Sequence, residues 1–292
     1  MDLRALAKIN LGLDVLGRRE NGYHDVRMVM QSIYLYDNVK IEKKSEPGIT
    51  LSSNLYFLPS DEGNIAYKAA DLLIKEFHIT EGVNIVLDKH IPVAAGMAGG
   101  SSNAAAVLFG MNRLFNLGLS TQELMERGVK LGADVPYCIM RGTVLAEGIG
   151  EELTELPPMP KCTVLIAKPP VSVSTKDIYQ ALDAKENIEH PDIDGIIEGL
   201  KEQNLEKIAS SMGNVLEDVT IPMHPEIAEI KKVMLECGAL NAMMSGSGPT
   251  VFGLFENRTE AKNAQEKIRQ KELAKQVYVT NVHTARRTKD GI

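Results

Sequence analysis

A loop almost free of bulky side chains lies between a strand pattern and a helix pattern in the first half of the chain. Val83, Ile85 and Leu87 alternate with polar residues, which is typical of a half-buried strand, and residues 103–115 favour a helix. The loop between them reads Pro92, Val93, Ala94, Ala95, Gly96, Met97, Ala98, Gly99, Gly100, Ser101 and Ser102. Because glycine allows close backbone approach, a ligand can come near the main chain of this loop.

The chemistry of such a loop favours anions. Consecutive N–H groups form a concave nest, and the following helix adds unpaired donors and the positive end of its dipole. Ser101 and Ser102 stand where the helix is expected to begin, so their hydroxyls can cap it or meet a phosphate or a metal-bound water. The loop has neither the Gly-Lys-Ser/Thr ending of a Walker A motif nor the GxGxxG spacing of a dinucleotide site. A plain glycine turn before a helix explains the spacing equally well.

The remaining patterns predict a chain of mixed strands and helices. Before the loop, strands are expected at 7–15, 26–36 and 39–43, with a tight turn at Asn21-Gly22, and a helix at 64–77. A capping box at 120–123 opens a helix to about residue 131, and residues 132–136 end it. The proline cluster at 156–160 divides the chain into domains 1–157 and 158–292. In the second domain, strands are expected at 163–167, 240–244, 251–255 and 277–283, and helices at 193–200, 205–212, 225–237 and 259–271.

The charge balance excludes one class of partner. The chain carries 32 Lys and Arg against 39 Asp and Glu, a formal net charge of −7, which argues against a nucleic acid or an anionic membrane as partner. No apolar run approaches the roughly 18–20 residues that span a bilayer, and the first residues lack a leader pattern, so a cytoplasmic protein is expected. Three cysteines fit free thiols, and six histidines show no metal-ligand spacing. Arg286 and Arg287 are expected in a solvated tail.

Two charged residues form a candidate catalytic pair. Lys8, Asn10 and Gly12 share one face of the first predicted strand, and Asp134 follows a predicted helix. In phosphoryl transfer, a carboxylate orients and deprotonates the attacking hydroxyl, and an ammonium stabilises the negative charge that develops. Taken alone, Lys8 reads as a solvated strand residue and Asp134 as a turn residue, and the spacing does not bring them together.

Several segments resemble a known family. Residues 92–105 resemble the phosphate-binding motif of the GHMP kinases, which include galactokinase, homoserine kinase and mevalonate kinase. The segments AKINL (7–11), NGYH (21–24), LGADVP (131–136) and AEGIGE (146–151) resemble, in order, one branch of this family that acts on a cytidyl diphosphate sugar alcohol. The segment SGSGPT (245–250) is similar to the C-terminal glycine motif of the family. The similarity covers most of the chain, and ordered motifs are far more specific than one loop.

The resemblance implies an α+β fold of two domains, with the active site in the cleft between them. The N-terminal half is expected to resemble the ribosomal S5 domain 2-like fold, and the C-terminal half the GHMP kinase C-terminal α/β fold. The implied reaction moves the γ-phosphate of ATP to a hydroxyl, with Mg²⁺ entering together with ATP; the sequence shows no dedicated metal ligand. ATP is implied to lie against residues 92–102, with Asn64 and Lys89 at its adenine end and Asn10 beside the transferred phosphate.

The same resemblance assigns the reacting groups and the substrate pocket. Asp134 is implied to be the base that takes the hydroxyl proton, and Lys8 its charged partner. Tyr23 is implied to stack on cytosine and His24 to hydrogen-bond it. Tyr179 is the choice for a second aromatic across the base.

Two other functions stay open on the sequence. One is a GHMP kinase for a small alcohol such as mevalonate or homoserine; residues 21–24 separate the two, because only a cytosine-binding turn makes CDP a competitor. The other is a non-catalytic nucleotide-binding or RNA-binding module, against which the acidic charge and the pair Lys8 and Asp134 argue. The oligomeric state stays open, a homodimer included.

Overall fold

The computed structural model describes residues 1–284, so the predicted tail at Arg286 and Arg287 lies outside the described residues. The first half contains, in chain order, β1 (Asp2–Arg18), β2 (His24–Lys44), β3 (Ile49–Ser53), α1 (Ile65–Glu76), β4 (Gly82–Asp88), α2 (Gly99–Leu114), α3 (Thr121–Val129), α4 (Asp134–Met140), β5 (Thr143–Glu147) and β6 (Glu152–Glu155). The second half contains β7 (Thr163–Lys168), α5 (Thr175–Asp183), α6 (Ile193–Glu202), α7 (Leu205–Ser211), β8 (Gly213–Asn214), α8 (Glu217–Met223), α9 (Glu226–Glu236), β9 (Asn241–Met244), β10 (Val251–Phe255), α10 (Arg258–Gln270) and β11 (Gln276–Asn281).

Two long strands organise the first half. In the described part of the chain they belong to a seven-stranded sheet of order β3-β4-β2-β1-β8, in which β5 pairs with β2 and β6 with β5. The strands β1 and β2 form an antiparallel hairpin, paired from Asp2 and Lys40 to Arg18 and His24. The hairpin reaches beyond its own sheet, and its tip contacts α5 of the second half through Asp183.

An antiparallel sheet of order β11-β7-β10-β9 forms the centre of the second half. The strand β10 pairs with β7 on one side and β9 on the other. All five residues of β10 are buried, and this burial explains why its sequence is a continuous apolar run. The helices α9 and α10 pack against this sheet.

The two halves share part of their core. The strand β8 pairs in parallel with β1, and Ile33 of β2 forms an antiparallel bridge with Val282. One hydrophobic cluster contains Ile9 and Ile33 from the first sheet together with Ile166 and Phe252 from the second. Packed apolar side chains and paired strands therefore join the two halves directly.

The structure matches the long periodic segments of the sequence and adds short ones. Ser120 and Glu123 form the expected capping box at the start of α3. The strand β2 runs unbroken where two strands, 26–36 and 39–43, were predicted. The additions β3, β5, β6, β8, α4, α5 and α8 have between two and nine residues, too few for a clear period. Within residues 1–284, no helix is long and apolar enough to cross a bilayer.

Asn214 of β8 lies where the second half pairs with β1. Removal of its side chain is expected to destabilise the protein measurably. Its amide donates to the carbonyl oxygens of Met244 and Gly246 at 2.9 and 2.8 Å, and its Oδ1 accepts from the N–H of Leu216 at 3.0 Å. Asn214→Ala is expected to lower the free energy of unfolding by about 2–4 kcal/mol, because buried backbone groups lose their partners. Urea denaturation measures the change.

A second asparagine provides the control for that variant. Asn38 is exposed on β2 and donates to the carboxylate of Asp88. Asn38→Ala is expected to change the free energy of unfolding by less than about 0.5 kcal/mol. Equal losses in the two variants would contradict the role given to Asn214.

Candidate active site

The glycine loop forms one wall of a cavity of about 350 Å³. The backbone is left-handed at Ala94, Gly96 and Ala98, with φ of +50°, +68° and +55°. The helix α2 begins directly after this turn at Gly99, earlier than the predicted start at residue 103, and no side chain caps it. Because Gly99 and Gly100 line the cavity, the unpaired N–H groups of the first helical turn are available to an anion there.

The buried carboxylate of Asp37 binds the residues on both flanks of this loop. Asp37 is fully buried, and its Oδ1 accepts from the N–H groups of His90 and Ile91 at 2.7 and 2.8 Å. Its Oδ2 accepts from the amide of Asn103 at 2.9 Å and pairs with the ammonium of Lys89. The ammonium also donates to the Oδ1 of Asn103 at 2.7 Å. One side chain of β2 thus fixes both the entry to the loop and the first turns of α2.

The loop also touches the glycine motif of the second half. The hydroxyl of Ser245 donates to the carbonyl oxygen of Gly96 at 2.9 Å. A Cβ atom on Gly96 would lie 2.1 Å from the Ser245 carbonyl oxygen, so this position admits only glycine. On the other side, the N–H of Lys8 donates to the carbonyl oxygen of Met97 at 3.2 Å. The loop is therefore fixed between β1 and the second half.

The same loop also lines a larger cavity, of about 660 Å³. Gly96 and Ala98 line this cavity as well as the first one. Lys8, Ser101 and Asp134 also line it. The structure therefore brings together, in the larger cavity, the two charged residues that the sequence could not connect.

Lys8 is held by a neighbour on the same strand. Its side chain is buried, and its ammonium donates to the Oδ1 of Asn10 at 2.7 Å. Asn10 is fully buried, and its own amide donates to the sulfur of Met28 at 3.5 Å. The solvated alternative for Lys8 is therefore wrong. Asn10, expected beside the transferred phosphate, lies behind Lys8 and orients its ammonium.

Asp134 opens a helix, where the sequence indicated only the end of one. It is the first residue of α4, and Pro136 is tolerated two residues later because the N–H groups of a first turn need no intrahelical partner. The pKa of the Cys138 thiol is raised to about 12, mainly by burial and also by the charge of Asp134, while the charge of Lys8 acts in the opposite direction. Both charges thus act on the same buried thiol. The N-terminal end of the α4 dipole favours the negative charge of Asp134.

Aromatic side chains line the other end of the larger cavity. Tyr23 lies in the β1–β2 turn and is 59% exposed, and His24 begins β2. Tyr179 comes from α5, a helix that the sequence did not predict, and its ring centroid lies 4.7 Å from that of His24. Burial raises the pKa of the Tyr179 hydroxyl to about 12. The three predicted substrate aromatics lie at one end of one cavity.

The predicted adenine residues lie in the smaller cavity. Asn64 caps α1 by accepting from the N–H of Ala66 at 3.0 Å, and its amide donates to the carbonyl oxygen of Pro59 at 2.9 Å. Lys89 lines the same cavity with its ammonium turned to Asp37. Leu58 and Pro59 also line it and were missed from the sequence, because they lie in a loop without any motif.

Ser102 departs from its predicted place. It is buried, lines neither cavity, and donates its hydroxyl to the carbonyl oxygen of Leu6 at 2.5 Å. Since α2 begins at Gly99, Ser102 lies in its first turn on the side that faces β1. Ser101 lines the larger cavity and not the smaller one, and its predicted contact with ATP stays a prediction.

Comparison with known proteins identifies the family. The model of the GHMP kinases N terminal domain matches residues 64–142, and that of the GHMP kinases C terminal matches residues 196–275. A 4-diphosphocytidyl-2-C-methyl-D-erythritol kinase of Lachnospira eligens is 59% identical over 97% of this chain and 98% of its own length. The kinase of that name from Lachnoclostridium phytofermentans is 56% identical over 96% of both chains. The chain belongs to this branch of the GHMP kinase family.

A solved structure supports the same assignment. A crystal structure of 4-(cytidine 5'-diphospho)-2C-methyl-D-erythritol kinase matches with a TM-score of 0.84 and 31% identity, covering 98% of this chain and 100% of the other. As a GHMP kinase, the chain is a phosphotransferase, and the α+β GHMP fold predicted from its motifs is confirmed. The relatives also confirm the branch of the family that was predicted from residues 7–11, 21–24, 131–136 and 146–151. They favour it over the two alternatives, a mevalonate or homoserine type of kinase and a non-catalytic module.

The role of Asp37 beside the glycine loop predicts that its substitution lowers both the stability of the protein and its affinity for ATP. Asp37→Asn keeps the shape but leaves the buried ammonium of Lys89 without a counter-charge. The free energy of unfolding is expected to fall by about 3–5 kcal/mol. The KM for ATP is expected to rise, because the loop loses its support. Urea denaturation and initial rates measure the two effects.

Two further variants make this test specific. Asp37→Asn combined with Lys89→Met removes both charges, so it is expected to recover part of the stability. Asp88→Asn changes a half-exposed carboxylate on β4 and is expected to cost at most about 1 kcal/mol. If Asp37→Asn costs no more than Asp88→Asn, the loop does not depend on Asp37.

Proposed function

We propose that this chain phosphorylates the 2-hydroxyl of 4-diphosphocytidyl-2-C-methyl-D-erythritol with ATP, giving the 2-phosphate and ADP. The observation that carries the proposal is the pair of cavities that share Gly96 and Ala98, with Lys8 and Asp134 both lining the larger one. A kinase that joins two nucleotide-bearing reactants needs two pockets meeting at one phosphate site. The names of relatives at 56–59% identity supply the substrate. The reaction belongs to the non-mevalonate route to isoprenoid precursors.

ATP is proposed to occupy the smaller cavity. Its adenine lies toward Asn64, and its phosphates follow the loop to the start of α2, where the ammonium of Lys89 binds Asn103. There the backbone N–H groups and the helix dipole supply positive potential without adding to the count of Lys and Arg. An acidic chain can therefore bind a polyphosphate in a cleft while its overall field repels nucleic acids.

Magnesium is proposed to arrive with ATP. Among residues 1–284, no group of three His, Cys, Asp or Glu side chains is placed to hold a metal ion. The cation would be held mainly by phosphate oxygens and water, and the hydroxyl of Ser101 lines the larger cavity at the same loop. When bound, the cation neutralises phosphate charge.

The transfer step is proposed to occur between Lys8 and Asp134. The 2-hydroxyl oxygen attacks the γ-phosphorus, the bond from that phosphorus to the bridging oxygen breaks, and ADP leaves. Asp134 accepts the hydroxyl proton, and Lys8, oriented by Asn10, stabilises the charge on the transferring oxygens. Because the transition state is loose, the proton need not leave early, and orientation of the hydroxyl is a large part of what Asp134 does.

The cytidyl end of the substrate is proposed to lie at the aromatic end of the larger cavity. Tyr23 and Tyr179 stack on cytosine, and His24 hydrogen-bonds its edge. The free thiols Cys138, Cys162 and Cys237 fit a reducing cytoplasm.

A substrate panel tests the proposed reaction, and one variant tests its chemistry. ATP consumption is expected with the cytidyl substrate and not with mevalonate or homoserine, and ³¹P NMR should show one new phosphate monoester. Asp134→Ala is expected to lower kcat by about 10²–10⁴-fold, with ATP affinity unchanged, because the base is lost but the ATP cavity is intact.

Two results would contradict this account. Turnover of mevalonate or homoserine in place of the cytidyl compound would reject the substrate. Retained turnover in Asp134→Ala would reject the base while leaving the substrate assignment in place.

The aromatic end gives a separate prediction. Tyr23→Ala is expected to raise the KM for the cytidyl substrate about 10–100-fold, because stacking on a base contributes about 1–3 kcal/mol. The KM for ATP is expected to stay unchanged. Tyr34→Ala serves as the control, since Tyr34 is 45% exposed on β2 and lines neither cavity. Equal rises in both KM values would place Tyr23 outside the cytidyl pocket.

A further inference from the structure

A carboxylate outside every motif contacts the predicted cytosine-binding histidine. The Oδ1 of Asp183 lies 2.7 Å from the Nε2 of His24. Its Oδ2 lies 3.4 Å from the guanidinium of Arg18. Asp183 is the last residue of α5, whereas Arg18 and His24 flank the β1–β2 turn. The contact therefore joins the second half of the chain to the tip of the hairpin.

The helix α5 presents two groups to the same cavity. Tyr179 and Asp183 are four residues apart, so they lie on one face of the helix, and both line the larger cavity. The start of α5 is fixed as well, because the Oγ of Ser174 accepts from the N–H of Asp177 at 3.3 Å and Thr175 hydrogen-bonds Ser247 at 2.8 Å. One short, anchored helix thus places a stacking ring and a carboxylate around His24.

The contact restricts the hydrogen bonding of the histidine ring. A carboxylate accepts hydrogen bonds, so the Nε2 that faces Asp183 carries the proton and donates. In the neutral ring the other nitrogen, Nδ1, is then an acceptor, in the way that carboxylates fix the tautomer of histidines elsewhere. An acceptor matches the exocyclic amine of cytosine, whereas uracil presents a carbonyl oxygen at that position. Two acceptors facing each other disfavour binding.

We propose that Asp183 is a positioning residue that holds His24 with its Nε2–H on the carboxylate, so that Nδ1 accepts from the cytosine amine and the kinase selects cytosine over uracil. This inference rests on the proposed function, because it takes the larger cavity as the cytidyl pocket. Asp183 itself need not touch the base. Its effect passes through the ring of His24.

Competition by two nucleoside diphosphates tests the proposal. CDP is expected to inhibit the wild-type enzyme, competitively with the cytidyl substrate, at lower concentration than UDP. Asp183→Asn is expected to narrow the ratio of the two inhibition constants about tenfold, since the amide can donate or accept and no longer fixes the tautomer. Asp177→Asn makes the same change at an exposed position of the same helix that does not line the cavity, and its ratio is expected to match the wild type.

A spectroscopic measurement reads the ring directly. In ¹⁵N-histidine-labelled protein, the signals of His24 are assigned by their loss in His24→Gln. The wild type and Asp177→Asn are expected to show the tautomer protonated at Nε2, and Asp183→Asn a mixture of tautomers. The tautomer of His24 is measured without any enzymatic turnover. If Asp183 only stabilised the fold, Asp183→Asn would leave this tautomer unchanged.

The outcomes separate the two claims. An unchanged ratio of CDP to UDP inhibition in Asp183→Asn, or a wild-type ring protonated at Nδ1, would overturn the role of Asp183 even if the wild type phosphorylates the cytidyl substrate. A wild type that binds neither CDP nor UDP would contradict the proposed function itself, and the inference would fall with it.

Discussion

Two glycine-rich segments cross at Gly96 and Ser245, and the geometry of both cavities depends on that crossing. The carbonyl oxygen of Ser245 fills the space that a side chain on Gly96 would need, and the Ser245 hydroxyl binds the carbonyl oxygen of Gly96. The loop is thereby held as a wall that both cavities share. A phosphate at this wall can be reached from both cavities, which is what transfer between two large reactants requires.

The functional groups are held by polar partners from distant parts of the sequence. Asp37 lies 52 residues before Lys89 and supports the loop from below. Asn10 orients Lys8 from behind, and Asp183 contacts His24 across 159 residues. Each of these partners removes freedom from a side chain or a loop before any ligand binds. Preorganisation of this kind lets the donors act without reorganisation during the reaction.

The sequence alone predicts much of the fold and the loop, but few of these supporting contacts. Amphipathic periods and the Ser120 capping box define α1, α3 and α10 because their information is local. The helix α5 is short and carries no motif, so Asp183 has no signal in the sequence. Asp37 falls in the gap between the predicted strands 26–36 and 39–43, so the sequence gives it no role. Its function becomes visible only from its hydrogen-bond partners in the folded chain. Ser102 reads as a phosphate ligand, and only the start of α2 at Gly99 shows that it faces β1.

A structure of the ternary complex, with a non-hydrolysable ATP analogue and the cytidyl substrate bound together, tests the central claim most directly. The adenine nucleotide is expected in the cavity lined by Asn64 and Lys89, and the cytosine against Tyr23 and Tyr179. The γ-phosphate should then lie at the loop on the side of Asp134. Reversed occupancy, or two ligands in one cavity with the other empty, would contradict the account of a single transfer site shared by two pockets.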